Sequence, residues 1–201
     1  MPTAETEPRA ESAEFEVLQA IRCRGVAAPE RIAANTGLSS GSVEAVLLAA
    51  EEYGFVKRRQ GRVSGMSLTP LGRARLALLT RDSVTPEQVA VIAAAYDAFL
   101  EPNQELKSLV TAWQANQDMP ATLAAIQPVH ADVTEVIAQA AGAQPRFRRY
   151  QERLGQALES FRGGDTGALA RPLSESYHDV WMELHEDLLA TMSRERGDAD
   201  G

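Results

Sequence analysis

A single cysteine, Cys23, excludes an internal disulfide and leaves no CxxC pair for a metal or redox centre. A chain that does without disulfides fits a reducing cytoplasm. Cys23 falls within an apolar helical pattern, where a packed thiol is the ordinary state. No apolar run approaches the ~18 residues that a bilayer-spanning helix needs. The acidic opening stretch MPTAETEPRAESAE lacks the hydrophobic stretch of a secretory leader. Catalytic signatures are also missing. There is no GxSxG, no P-loop, no GxGxxG and no Cys/His pairing, so no enzyme activity is expected. The chain has three histidines. Glu175 and His178 form one carboxylate–imidazole pair at helical spacing, whereas a metal centre in a helical bundle takes several such pairs from facing helices. No metal and no cofactor are expected. Aromatic residues make up only 5% of the chain. Few aromatics and abundant alanine suit helices that pack closely through small side chains.

What is present is a globular composition, 44% hydrophobic and 24% charged over 201 residues, enough for one or two domains with a buried core. The charge is uneven. Residues 17–80 hold 9 Lys+Arg against 4 Asp+Glu, while residues 81–201 hold 10 against 19. A basic module ahead of an acidic body points to nucleic-acid contact by the first part alone.

Local signals divide that first part. EFEVLQAIRCRG reads as a helix stopped by Gly25, after a disordered tail over residues 1–14. A short extended piece leads to Pro29, which suits a first helical turn, and Gly37 ends that helix. Ser39 or Ser40 caps a third helix, in which Val43, Val46, Leu47, Ala50 and Tyr53 form one apolar face. FVKRR and RVSGMSL read as two short strands around Gln60-Gly61. Thr69-Pro70 then opens a fourth helix, with Thr69 as its cap.

Three passages, ERIAANTGLSSGSVEAVL, LLAAEEYGFVKRR and SLTPLGRARL, follow one another at a spacing that resembles the winged helix-turn-helix domain of bacterial transcriptional regulators, most of all the MarR and PadR types. The resemblance covers residues 15–80. It implies a DNA-binding domain of three to four helices with a β-hairpin wing, a cytoplasmic protein, and a homodimer, since two-fold operators call for two-fold proteins. The exposed face of the third helix then offers Ser40, Ser42, Glu44, Ala45 and Leu48 to the major groove. Lys57, Arg58, Arg59 and Arg62 in the wing, with Arg31, offer charge to phosphates. Three consecutive bases on one strand require that one of them face inward or snorkel. The helix from Ser39 to Gly54 departs from the usual recognition helix, for it holds no Lys, Arg, Asn or Gln. That departure keeps a second reading open, a winged-helix interaction module or adaptor that binds protein and not DNA.

Residues 86–196 read as all-helical, giving a mainly α protein with a boundary between Arg81 and Thr85. Pro128 is expected to break or kink its helix, and the last helix is expected to start near Pro172. This second domain is expected to dimerise the chain and to hold a small-molecule effector. Tyr96, Trp113, Tyr150 and Trp181 are the candidate pocket, with a packed core as the other reading of the same aromatics. Tyr177, Trp181, Leu184 and Leu188 form a stripe that is either core or dimer seam. The acids of this part read as solvated charge on polar helix faces.

Overall fold

Residues 10–61 and 63–194 are described by a computed structural model. The protein is mainly helical, with one small antiparallel sheet of two strands. It divides into two compact units, the first ending at Ser83 and the second beginning at Val84. No helix among the described residues is long and apolar enough to cross a membrane.

Helix α1 of the first unit (Ala10–Arg24) buries Phe15, Leu18 and Ile21. It begins within the stretch expected to be a disordered tail. Residues 1–9 lie outside the described residues. The early start has a cause that sequence pattern does not carry: Arg75 donates from Nε (2.9 Å) and Nη2 (2.6 Å) to the two carboxylate oxygens of Glu14, 61 residues away. Helix α2 (Pro29–Thr36) opens on its proline and closes on Gly37 in the left-handed conformation. Helix α3 (Ser40–Glu52) is capped by Ser39, whose hydroxyl accepts from the Ser42 N–H, and it buries Val43, Leu47 and Ala50.

Strands β1 (Val56–Arg59) and β2 (Gly65–Leu68) pair in the register Val56 with Leu68 and Arg59 with Gly65. The extended residue Ala27, ahead of α2, exchanges both backbone hydrogen bonds with Met66, at 2.9 and 2.7 Å. The base of the ribbon is therefore braced from outside the hairpin. Gly65 is needed there. It sits at φ 150°, and a Cβ would lie 2.5 Å from the Ala27 carbonyl carbon.

Thr69 joins the ribbon to helix α4 (Pro70–Ser83). Its hydroxyl donates to the Gly54 carbonyl (2.6 Å) and accepts from the Gly72 N–H (3.0 Å), and its own N–H donates to the Phe55 carbonyl (2.9 Å). One threonine thus caps α4 and fastens it to the end of α3.

In the second unit, Thr85 and Gln88 cap each other to start helix α5 (Pro86–Asn116), which runs through a buried Pro102. Gln117 and Asp118 turn the chain into helix α6 (Met119–Ala143), and α5 and α6 pack as a hairpin. Helix α6 continues through Pro128 and is not broken there. Proline removes one backbone donor, and the residues on either side, among them Ile126, Val129 and Val133, stay anchored in the core. A single 3-10 turn leads into α7 (Arg148–Arg162), followed by the one-turn α8 (Gly167–Ala170).

Helix α9 (Tyr177–Thr191) begins at Ser176, whose side chain caps it, and not near Pro172. Eleven of its 15 residues are buried, so α9 is the central helix of this unit. Tyr177, Trp181, Leu184 and Leu188 are consumed by that core and are not a seam between copies.

Candidate nucleic-acid interface

The surface of α3 follows from its buried side. Val43, Leu47 and Ala50 point into the core, so the helical repeat turns Gly41, Glu44, Ala45 and Leu48 outward, and all four are exposed. Ser40 is exposed at the first turn. Ser42 is half-buried and already engaged, for its Oγ lies 2.8 Å from the Ser39 Oγ and its N–H donates to the same atom. Of the two predicted serines, Ser40 faces outward and Ser42 belongs to the cap.

Lys57, Arg58 and Arg59 are all exposed on β1. Arg58 is cross-strand from Met66 and shares its side of the ribbon with Val56. It reaches past the core to bring Nη2 within 3.7 Å of the Glu51 carboxylate. Of the three bases Arg58 is the one on the Val56 side of the ribbon, and it is exposed there. The same ion pair sets the base of the ribbon beside the exposed side of α3. Arg59 donates from Nε to the Ser67 hydroxyl (3.3 Å). Arg73, on α4, donates to the Leu68 carbonyl (3.4 Å). Arg31 is exposed on α2. Arg62 lies outside the described residues.

One apolar residue of this surface differs from the sequence reading. Tyr53, expected on the inner face of α3, is the C-terminal cap residue and is 67% exposed, its ring stacked on Phe55 at 5.7 Å. Leu48 is 72% exposed. On the flank of α3 away from Glu51, a groove of about 600 Å³ is lined by Ala45, Val46, Ala49, Tyr53, Phe55 and the Glu14–Arg75 pair. The signal for Tyr53 was its neighbour: Gly54 ends the helix, and a residue at a cap is released from the helical face.

The predicted effector residues are packed. Trp113 meets Phe161 edge to face (5.0 Å), Trp181 lies against Phe99 (5.0 Å), Tyr96 against Phe99 (6.4 Å) and Tyr150 against Phe147 (6.0 Å). All four are buried in one continuous core. The Trp181 indole N–H donates to Asn103 (3.0 Å), which satisfies its one polar atom. Glu175 is held by Arg153 (2.7 Å), and His185 is buried between Tyr96 and Phe99. Burial pushes the His130 and His178 imidazoles below their ordinary pKa.

Sequence reasoning missed an ionic lattice that joins α7 and the 3-10 turn before it to α9. Asp187, 0% exposed, accepts from Arg146 Nη2 (3.1 Å), Arg149 Nη2 (3.2 Å) and the Tyr150 hydroxyl (2.9 Å). Arg153 donates to Glu183 (2.9 Å) as well as Glu175. The acids expected on solvated faces are, at these two α9 positions, buried and paired. The available signal was phase. Glu183 and Asp187 stand three residues after Val180 and Leu184, in step with the apolar stripe of α9, and Arg146, Arg149 and Arg153 recur at helical spacing.

No protein-family model, no curated protein and no solved structure matches the chain.

Proposed function

We propose that the chain is a DNA-binding transcriptional regulator of the winged helix-turn-helix kind, working in the cytoplasm as a homodimer. The observation that carries this reading is the ribbon: Lys57, Arg58 and Arg59 are exposed together beside the outward face of α3. A two-stranded ribbon bearing adjacent cations tracks phosphates, while the helix next to it meets base edges. Edge protection accounts for alternating Lys or Arg, and less well for three consecutive bases. Replacing Arg58 and Arg59 together by alanine should weaken binding to any duplex. It should also flatten the plot of log affinity against log salt by about 0.9 for each phosphate that is no longer neutralised. A fluorescence-anisotropy salt titration checks this, and an unchanged slope counts against it.

The proposed dimer seam is on α4 of the first unit, and not in the second domain to which the sequence reading gave dimerisation. Leu71 and Leu78, seven residues apart on one stripe, are 55% and 48% exposed, and an apolar stripe on a surface helix is the usual material of a two-fold seam. Light scattering at micromolar protein should give about twice the 21.7 kDa chain mass, and the single-chain mass once Leu71 and Leu78 are both glutamate. A wild-type protein at the single-chain mass would remove the dimer from the proposal.

The exposed Tyr53 and the groove beside it favour a second reading, a module that docks an apolar segment of another protein. A chain that binds no duplex at low salt would select that reading over the first.

A further inference from the structure

The outward face of α3 has an unusual chemistry for a helix that meets base edges. Gly41 contributes no side chain, Ala45 a methyl and Leu48 an isobutyl group that is 72% exposed. Glu44 is exposed among them, with Ser40 one turn before it and Glu52 one turn beyond Leu48. As a carboxylate it accepts hydrogen bonds and donates none. Such a face cannot form the arginine–guanine or asparagine–adenine pairings through which most helices read a major groove.

We propose that α3 reads thymine methyl groups, with Leu48 as the specificity-determining residue and Ala45 beside it. This rests on the DNA-binding reading above and names what that site recognises. In the major groove thymine is the base that presents a methyl group, whereas guanine, adenine and cytosine turn polar atoms toward the reader. A leucine laid over those polar atoms would strip their water and return no hydrogen bond. Over a thymine methyl it removes apolar surface from water on both partners. Ala45 and Leu48 are three residues apart, about 4.5 Å along the helix axis, so their apolar groups span little more than one base step. Glu44 lies on the same face and accepts from an exocyclic amine, which selects a cytosine next to the thymine. A carboxylate also repels phosphate, so it weakens binding wherever no amine is in reach. Duplex DNA is the occupant proposed for this face because the neighbouring strand, and not α3 with its exposed Glu44, Glu51 and Glu52, supplies the cations. Lys57, Arg58 and Arg59 stand beside the face, with Arg58 within 3.7 Å of Glu51 at its edge.

The test begins with selection of a preferred duplex by the full chain from a random pool. Each thymine of that duplex is then replaced in turn by deoxyuridine, which removes the 5-methyl group and nothing else. At one or two positions the replacement should weaken binding about fourfold, the worth of one buried methyl-sized group. Leu48→Ala should bind the thymine duplex correspondingly more weakly and no longer distinguish thymine from uracil at one of those positions. Leu48 lies outside the core, so this variant should keep the wild-type circular dichroism. A duplex that is bound equally well with every thymine replaced overturns the methyl reading and leaves DNA binding standing. So does a Leu48→Ala protein with the wild-type thymine/uracil ratio. If no duplex is bound at any salt, both fall together, and the same exposed leucine is then read as a protein contact.

Discussion

Asp187→Ala should destabilise the second unit by about 3–5 kcal/mol, the usual consequence of removing one partner from a buried ion pair. The carboxylate is fully enclosed and receives two guanidinium groups and a phenol. With alanine in its place, Arg146 and Arg149 keep their charge and their burial but lose the anion that both share. Arginine does not escape by releasing a proton. Asp187→Asn separates charge from hydrogen bonding, since it retains an acceptor oxygen, and it should fall between alanine and wild type. Urea denaturation followed by tryptophan fluorescence is well suited to the measurement, because the two tryptophans, Trp113 and Trp181, lie in the core of this unit. A change below about 0.5 kcal/mol in the alanine variant, the size of an ordinary surface substitution, would mean that the lattice adds nothing to the fold.

Gly72→Ala should be strongly damaging to the first unit. Inside a helix this exchange ordinarily stabilises by up to about 1 kcal/mol. Here the new Cβ would stand 1.9 Å from the Phe55 carbonyl oxygen and 2.7 Å from its carbon. Both are backbone atoms, so no side chain can swing aside. Either α4 withdraws from the segment that joins α3 to β1, or that segment moves, and each course loosens the three hydrogen bonds through which Thr69 holds the two together. A loss of about 2–3 kcal/mol is expected, at the upper end of what overpacking costs. Hydrogen exchange resolved to peptides should show faster exchange across residues 40–83 with little change beyond residue 86. Wild-type protection across 40–83 would mean that the close approach is relieved at no cost.

Some elements were readable because their causes are local. Ser39, Pro29, Gly37 and Thr69-Pro70 act on backbone groups within four residues, and each does in the structure what its position suggests. The ribbon around Gln60-Gly61 and the apolar stripes of α5 and α6 are legible for the same reason. Other features depend on partners far along the chain. Glu14 reads as part of an acidic tail until Arg75 is known to lie across from it. Asp187 reads as surface charge until Arg146 and Arg149 are brought to it. Periodicity sorts residues by polarity, so it assigns every charge to water and misses those buried in pairs. On α3 it gave the outward face correctly through Glu44, Ala45 and Leu48. It misplaced Tyr53, where the helix ends and the period with it.

The central position of α9 has a consequence for synthesis. Helices α5 and α7 pack against α9, yet α9 emerges from the ribosome after both. Until the stretch up to residue 191 is released, α5 and α6 can pair with each other, but α5 and α7 lack the helix against which both pack. A nascent chain halted before Tyr177 would leave Phe99, Tyr150 and their neighbours uncovered, in the condition that recruits chaperones or leads to aggregation. The first unit, complete by residue 83, can fold long before. The protein is thus made in two instalments, and the second is held open until its last helix arrives.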